Sequence, residues 1–322
     1  MQEAVTDPAE LLRLVGLGPQ WLEPAAAAAR AFALRVPRGF VARMRRGDPS
    51  DPLLLQVLPL GAELEAVPGY RLDPVDDLAA RSGPGVLQKY AGRALLVTTG
   101  ACAVNCRYCF RRHFPYDEQN ASREGFGPAL DAIRADPGVG EVILSGGDPL
   151  TLSDRRLAAL FEGLQSIAHV RRVRVHSRLP IVLPERIDRG FIGVWSALRL
   201  QKVVVVHANH AREIDDSVRN AVSSLRAAGT TVLNQSVLLR GINDRVADLV
   251  ELSEALFAAG VIPYYLHVLD PVAGAAHFDL PVPTAQRLVA EVATRLPGYL
   301  VPRLVREEPG APSKTMLPPA SR

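Results

Sequence analysis

From residue 94 onward, short apolar segments alternate six times with longer helical ones, and this alternation constrains the fold more than any other feature. A β-branched segment followed by a helical segment predicts parallel strands joined by right-handed crossovers. Six such units are too few to close an eight-stranded barrel. The pattern therefore predicts an α/β protein with a partial (β/α)6, TIM-like barrel that is open on one side.

Each of the six units can be assigned to a segment of the chain. The predicted strands are residues 94–100, 141–146, 170–176, 202–209, 231–239 and 262–269. The predicted helices lie near residues 122–136, 153–168, 185–199, 212–228, 244–260 and 284–296. Ser153 and Thr284 are expected to be N-caps, because hydroxyls accept hydrogen bonds from the free N–H groups of a first helical turn. Gly229 and Gly260 are expected to end helices.

Three regions follow from this pattern. Residues 1–90 predict a mainly helical N-terminal region with proline-containing connectors, and no chemistry is expected there. Residues 91–297 form the predicted barrel. Residues 298–322 have no helical partner, and we expect this C-terminal segment to run across the open side of the barrel.

The composition restricts the kind of protein this is. A hydrophobic fraction of 48% and a charged fraction of 22% are typical of a globular protein with a large core. The net charge of +3 gives no reason to expect nucleic acid binding. Neither a signal-peptide pattern nor an apolar stretch long enough to cross a bilayer is present. We therefore expect a cytoplasmic protein that binds neither nucleic acid nor membrane.

All three cysteines of the chain, Cys102, Cys106 and Cys109, lie within eight residues directly after the first predicted strand. A [4Fe–4S] cube normally takes four cysteines, so three would leave one iron open for a small molecule. A zinc site with a distant histidine is an alternative, although the two separated pairs typical of such sites are absent. Buried thiols are a second alternative, and the clustering fits a reducing compartment.

Polar residues follow the other predicted strands at the same end of the barrel. Barrel enzymes place their chemistry at the carboxyl ends of the strands. The polar residues at the ends of strands two to six include Ser145, Gly146, Gly147 and Asp148, then His176, His207, Gln235 and Asp270. Their agreement in position predicts an active site at this rim.

The CxxxCxxC spacing, with the Ser-Gly-Gly-Asp motif behind it, resembles the radical S-adenosylmethionine (SAM) superfamily. Further motifs resemble the lysine 2,3-aminomutase family over about residues 85–318. They are Tyr90-Ala-Gly-Arg93, Arg111-Arg112, Val182-Leu-Pro-Glu-Arg186, Val237-Leu-Leu-Arg-Gly-Ile-Asn-Asp244, His277-Phe278 and the segment around Lys314. The short chain and its ending resemble the bacterial EpmB branch, which supplies β-lysine for modification of translation elongation factor P.

This resemblance implies three cofactors. The cysteines would hold a [4Fe–4S] cluster, and SAM would contact residues 145–148, His207 and Gln235. Pyridoxal phosphate (PLP) would be held by Lys314, with its phosphate on Arg93. The chain offers only two other lysines, Lys89 before the barrel and Lys202 at the opposite end of a strand.

The resemblance also implies a substrate and partners. L-Lysine would bind through its carboxylate to Arg111 and through its ammonium to Asp270 and Glu307, with Glu308 as a competing candidate. The product would be β-lysine, and the partners would be an electron donor such as flavodoxin or ferredoxin, elongation factor P and its lysyl-transferring ligase. No zinc is expected, because Arg245 stands where larger relatives have a zinc-binding cysteine.

Three alternatives keep part of this interpretation. A related aminomutase acting on arginine would share every cofactor motif. A radical SAM enzyme without PLP would cleave SAM but would not need Lys314. A non-enzymatic iron–sulfur or zinc module would cleave no SAM at all.

Overall fold

The computed structural model of the protein describes residues 3–121 and 125–320. The helices are α1 (Pro8–Val15), α2 (Leu22–Ala31), α3 (Arg38–Val41), α4 (Pro52–Leu55), α5 (Gly127–Ala135), α6 (Asp154–Gln165), α7 (Leu179–Val182), α8 (Arg189–Ala197), α9 (Asp216–Ala227), α10 (Val246–Ala258) and α11 (Val282–Val292). The strands are β1 (Arg81–Gly83), β2 (Val86–Leu87), β3 (Arg93–Thr99), β4 (Glu141–Gly146), β5 (Arg172–Ser177), β6 (Gln201–Val206), β7 (Thr230–Val237), β8 (Ile262–His267), β9 (Arg303–Arg306) and β10 (Thr315–Met316).

The ten strands form one sheet whose spatial order is the order along the chain. Strands β3 to β9 are parallel, and the helices between them make the crossovers. Short antiparallel strands extend both edges, with β1 and β2 beside β3 and with β10 beside β9. The sheet does not close on itself. The predicted partial barrel is thus confirmed, and all six predicted strands begin within two residues of the observed ones.

The open side of the barrel lies between the β3 edge and the β9 edge, and the N-terminal region bridges it. Beside β3, Lys89 contacts Glu307 at the end of β9. Arg71 pairs with Val272, in the loop after β8, through a parallel bridge. The C-terminal segment supplies β9 and β10 at the far edge. Residues 1–90 therefore contribute two short strands and the bridging contacts in addition to helices.

Two apolar clusters hold these parts together. The larger cluster lies between the parallel strands and their helices, with Trp195 fully buried at its centre. The second cluster joins the N-terminal helices to Val104 in the cysteine segment and to Val182 in α7. The N-terminal region is consequently packed against the segment that carries the cysteines.

Each of the six predicted helices has an observed counterpart with somewhat different ends, and the short helix α7 was not predicted. Ser153 caps α6 as expected, accepting a hydrogen bond from the Arg156 N–H. Gly229 and Gly260 follow α9 and α10 in left-handed conformation, as expected. The prediction that Thr284 is an N-cap was wrong. Helix α11 begins two residues earlier, because proline is tolerated in a first helical turn, where the N–H groups have no helical partner.

Two further helix predictions need correction or restriction. Predicted helix 185–199 is interrupted, because Asp188 accepts a hydrogen bond from the Phe191 N–H and starts a new helix, α8, there. Predicted helix 122–136 is observed as α5, and residues 122–124 lie outside the described part of the chain. Within the described ranges, no helix is long and apolar enough to cross a membrane.

Trp195→Ala is expected to lower the free energy of unfolding by about 3–5 kcal/mol, because it opens a cavity in the main core. The indole ring packs against Phe161 and Phe191, and its N–H donates to the Thr230 hydroxyl at 2.7 Å. Urea denaturation measures the loss. Phe257→Ala is the control. Phe257 is 48% exposed, so this substitution should lower the free energy of unfolding by less than about 1 kcal/mol. Equal losses in both variants would contradict this placement of the core.

Candidate active site at the carboxyl ends of the strands

The three cysteines lie on the loop after β3, all as free, partly exposed thiols. Burial raises the pKa of Cys102 well above the value of a free thiol. Burial, together with the neighbouring Cys106, raises the pKa of Cys109 to about 11. Such thiols stay protonated at neutral pH until a metal replaces the proton. The donor set suits iron in an iron–sulfur cluster.

Contacts with the N-terminal region hold the cysteine loop in place. The Arg107 guanidinium is fully buried and donates to both carboxylate oxygens of Glu63. Arg112 donates to the same carboxylate at 2.8 Å. Both guanidinium groups also lie over the Phe32 ring, at 4.8 and 4.4 Å from its centroid. The cysteine loop is thus held by a buried carboxylate that belongs to the region where no chemistry was expected.

The Ser-Gly-Gly-Asp motif at the end of β4 touches the cysteine loop through its backbone. Gly147 donates its N–H to the Thr99 carbonyl at 2.7 Å, and Asp148 donates to the Ala101 carbonyl at 2.8 Å. A Cβ atom on Gly147 would stand 2.4 Å from the Ala101 oxygen. Gly146 has φ +113°, in the region that favours glycine. Both glycines are therefore required for the close approach.

The Asp148 carboxylate faces the end of β5 and is fully occupied by internal donors. It accepts hydrogen bonds from the Ser177 hydroxyl and from the backbone N–H groups of Leu150, Arg178 and Leu179, at 2.7 to 3.1 Å. Burial raises its pKa even against these four donors. Asp148 consequently ties the motif of β4 to the loop after β5.

A continuous series of polar contacts runs from this motif across the barrel opening. Arg111 donates to the Ser145 hydroxyl at 3.0 Å and to Asp77 at 2.6 Å. Lys89 stands 2.7 Å from the other Asp77 oxygen and donates to Glu307 at 2.8 Å. Burial opposes the ionisation of Asp77, but Arg111 and Lys89 outweigh it and lower the pKa of its carboxyl.

Lys314 completes the series. Its ammonium donates to the second oxygen of Glu307 at 2.7 Å, so that this carboxylate bridges Lys314 and Lys89. Burial opposes the ionisation of Glu307, but the two ammonium groups outweigh it and hold its pKa well below the usual range. The side chains of all three residues are less than one-fifth exposed.

Three histidines lie close enough to Lys314 for its charge to lower their pKa; His267 is buried, and His176 and His207 are partly exposed. His176 and His207 stand 3.4 Å apart between ring nitrogens, and His267 lies in β8. Burial lowers the pKa of His207 to about 4, with Arg178 and Lys314 adding to the effect. Burial and nearby positive charges, Lys314 among them, also hold the pKa of the other two rings well below the usual value.

Several buried polar atoms near Lys314 have no hydrogen-bond partner within the described residues. They are the Tyr90 hydroxyl, His267 Nε2 and Asp270 Oδ1; Arg93 Nε also lacks a partner, but Arg93 lies against the Tyr90 ring at the start of β3. Buried polar groups are normally satisfied, so such a cluster indicates space for a polar ligand. A cofactor with a carbonyl, a phosphate and ring heteroatoms fits this set of donors and acceptors, with Lys314 as its only neighbouring primary amine apart from Lys89.

The carboxyl of Asp270 is shifted in the opposite direction to that of Glu307. Burial, reinforced by the negative charge of Glu307, raises the pKa of its carboxyl to about 7. The carboxyl therefore changes its charge in the neutral range.

Comparison with known proteins identifies the family. A family model described as the radical SAM superfamily matches residues 96–253. An L-lysine 2,3-aminomutase of Escherichia coli K12 is 49% identical, over 98% of this chain and 93% of that protein. Those of Haemophilus influenzae and Clostridium subterminale are 44% and 34% identical, over 98% and 96% of this chain and 94% and 74% of their own lengths. The chain belongs to the lysine 2,3-aminomutase family.

Membership in the lysine 2,3-aminomutase family makes the chain an isomerase of the radical SAM type, and it implies a [4Fe–4S] cluster and SAM. The resemblance seen in the sequence motifs is thereby confirmed. Cys102, Cys106 and Cys109 are the chain's only cysteines and are the residues that would hold the cluster. The cluster would supply an electron and SAM the radical that starts the isomerisation.

The structure brings most of the predicted site residues of this aminomutase together. Ser145, Arg111, Glu307 and Lys314 belong to one connected series of contacts. His207 follows β6 beside His176, and Gln235 lies in β7 opposite Tyr265. Arg93 is the exception, because it begins β3 opposite Glu141, at the other end of the strand from the cysteines. Its guanidinium lies over the Tyr90 ring at 4.7 Å, which is its connection to the Glu307 cluster.

Three site residues, Glu63, Asp77 and Lys89, were missed from the sequence, and all three come from the N-terminal region. Arg178 was expected at the rim after the third predicted strand, but no role was assigned to it. Their importance arises from contacts between distant segments, which no local pattern reports. One feature of the sequence could have pointed to Lys89, because it is one of only three lysines in the chain.

Gly147→Ala is expected to abolish iron–sulfur reconstitution or SAM binding, because the new methyl group would displace the Ala101 carbonyl and with it the cysteine loop. Iron content and SAM binding by equilibrium dialysis measure the loss. Gly193→Ala is the control, since a Cβ there meets no atom within 4 Å. Normal iron and SAM binding in Gly147→Ala would show that the close approach is not required.

Proposed function

We propose that the protein converts L-α-lysine to β-lysine with PLP bound at Lys314. The observation that carries the proposal is the bridging carboxylate of Glu307, which holds the Lys314 ammonium near Asp270, whose Oδ1 atom has no hydrogen-bond partner among the described residues. A site that already accommodates an ammonium group in the neighbourhood of two carboxyl groups has the chemistry needed for a lysine side chain.

When bound, PLP would supply the electrophilic carbonyl that carries the migrating amino group. Lys314 would hold PLP in place of its present contact with Glu307. One oxygen of Glu307 would then be free for the ammonium of the substrate. Lys89 would keep the other oxygen and hold the carboxylate in place.

Arg111 is suited to orient the other end of the substrate. A guanidinium has five N–H donors in a planar fork that matches a carboxylate. Contacts with Asp77 and Ser145 use two of the five and fix the plane of the group. The remaining donors would bind the α-carboxylate close to the loop that carries the cysteines.

The neutral histidines and the buried walls would exclude water and stray protons from the radical step. Two carboxyls beside the side-chain pocket would repel glutamate. Arginine also carries a positive end group, so an aminomutase acting on arginine is the second candidate. The assay below separates the two.

We further propose that the β-lysine serves the modification of elongation factor P in the cytoplasm. The resemblance of the segment Pro312-Ser-Lys-Thr-Met316 to the EpmB branch supports this proposal. A lysyl-transferring ligase would consume the product. A flavodoxin or ferredoxin would reduce the cluster.

The proposal predicts β-lysine from reduced, reconstituted protein given SAM, PLP and lysine, and no corresponding product from arginine or glutamate. Lys314→Ala should keep the iron chromophore but lose the PLP absorption band and the product. Lys202→Ala is the matched control, because its ammonium contacts only the Trp195 carbonyl among the contacts described and lies at the other end of a strand. A PLP band that survives in Lys314→Ala would refute the assignment.

The Asp270 carboxyl must be ionised to attract an ammonium, and its pKa is raised to about 7. kcat/KM for lysine is therefore expected to rise about tenfold between pH 6 and pH 8. Asp270→Asn should lower kcat/KM and remove this pH step, while SAM still binds. The same pH profile in the variant and the parent protein would assign the step to another group.

A further inference from the structure

The guanidinium of Arg178 contacts the sulfur of a cluster cysteine. Arg178 follows β5 directly, is 5% exposed, and donates from Nη1 to the Cys106 Sγ atom at 2.8 Å. No sequence motif assigned a role to this arginine. The positions of the residues around it show that the contact is built into the fold.

Arg178 is fixed at both ends of its side chain. Its backbone N–H donates to Asp148 at 2.8 Å. Its Nη2 atom donates to the Gln56 amide oxygen and, at 3.1 Å, to Glu213. Rotation of the guanidinium away from Cys106 would break these bonds in a buried site.

The supporting residues are themselves held. One oxygen of Glu213 accepts the backbone N–H of Asn209 at 2.8 Å and the Gln56 amide at 3.0 Å. Both Gln56 and Glu213 are fully buried. The donor that points at Cys106 is thus preorganised by residues from the N-terminal region and from the loop after β6.

A hydrogen bond to a cysteine sulfur changes the redox properties of an iron–sulfur cluster. Such bonds, together with charge and solvent exposure, set the reduction potential. Reduction adds one negative charge to the cluster, and a donor N–H with a delocalised positive charge stabilises that added charge. Outer residues that orient ligands tune a metal site in the same way.

We propose that Arg178 is a positioning residue that fixes the Cys106 sulfur and raises the reduction potential of the cluster. The electron comes from an external one-electron donor, and the cluster is reduced by that electron with no bond made to Arg178. This inference rests on the proposed function only in requiring that Cys106 binds the cluster.

The test is an anaerobic redox titration of the full-length, reconstituted protein with dithionite, followed by electron paramagnetic resonance of the reduced cluster. In Arg178→Gln, the ratio of reduced to oxidised cluster should be about tenfold lower than in the parent protein at the same ambient potential. This corresponds to a midpoint potential that is about 59 mV more negative for one electron. Arg178→Lys keeps the positive charge but loses the planar guanidinium. Its midpoint potential should therefore shift in the same direction by a smaller amount.

Arg186→Gln is the matched control. Arg186 lies on the segment that follows, is partly buried and pairs with Asp154, and it makes no described contact with a cysteine. The midpoint potential of the cluster in Arg186→Gln should equal that of the parent protein. An unchanged midpoint in Arg178→Gln, with full iron content, would overturn the inference.

The test also covers the case in which a variant fails to bind the cluster. If Arg178→Gln binds no iron, Arg178→Lys and Glu213→Gln are titrated instead, and a negative shift in either supports the role. Failure of all three to bind iron would make Arg178 an assembly residue and overturn the redox role. The titration needs neither PLP nor lysine, so absence of β-lysine in the parent protein would refute the proposed function separately.

Discussion

The buried arginines around the cysteine loop are paired with carboxylates, and these pairs join segments that are far apart in sequence. A charge taken out of water is strongly destabilising unless an opposite charge and hydrogen bonds compensate for it. Glu63 compensates Arg107 and Arg112, and Glu213 compensates Arg178. Each pair connects the cysteine loop or its neighbours to another element. The position of the cluster loop therefore depends on the N-terminal region as much as on the barrel.

The same requirement accounts for the contacts that bridge the open side of the barrel. The parallel strands leave a gap between β3 and β9. The series of contacts through Asp77, Lys89 and Glu307 bridges this gap. Glu307, which bridges the gap, also holds Lys314, so the contacts that bridge the gap include the residue proposed to bind PLP.

Burial also separates the protonation states around Lys314. Neutral histidines and an ionised Glu307 lie within one pocket, and the Asp270 carboxyl changes its charge near pH 7. The difference follows from the partners, because Glu307 contacts two ammonium groups, whereas Asp270 forms no ion pair within residues 3–121 and 125–320. Such divergence between similar groups is typical of sites where charge is used in binding or catalysis. A lysine side chain entering beside Asp270 would supply the missing partner.

The sequence by itself determined the strands, their parallel order and the rim on which the cysteines and the Ser-Gly-Gly-Asp motif lie. Those features are local, since apolar periodicity and glycine geometry act within a few residues. Contacts that decide the site were not accessible in this way: Asp77 and Lys89 looked like connector residues, and Arg178 was one arginine among many. Arg93 was placed by motif, but its distance from the cysteine loop follows from the length of β3. Only the tertiary structure decided which charges meet, because pairing between residues up to 218 positions apart depends on how the sheet brings its two edges together.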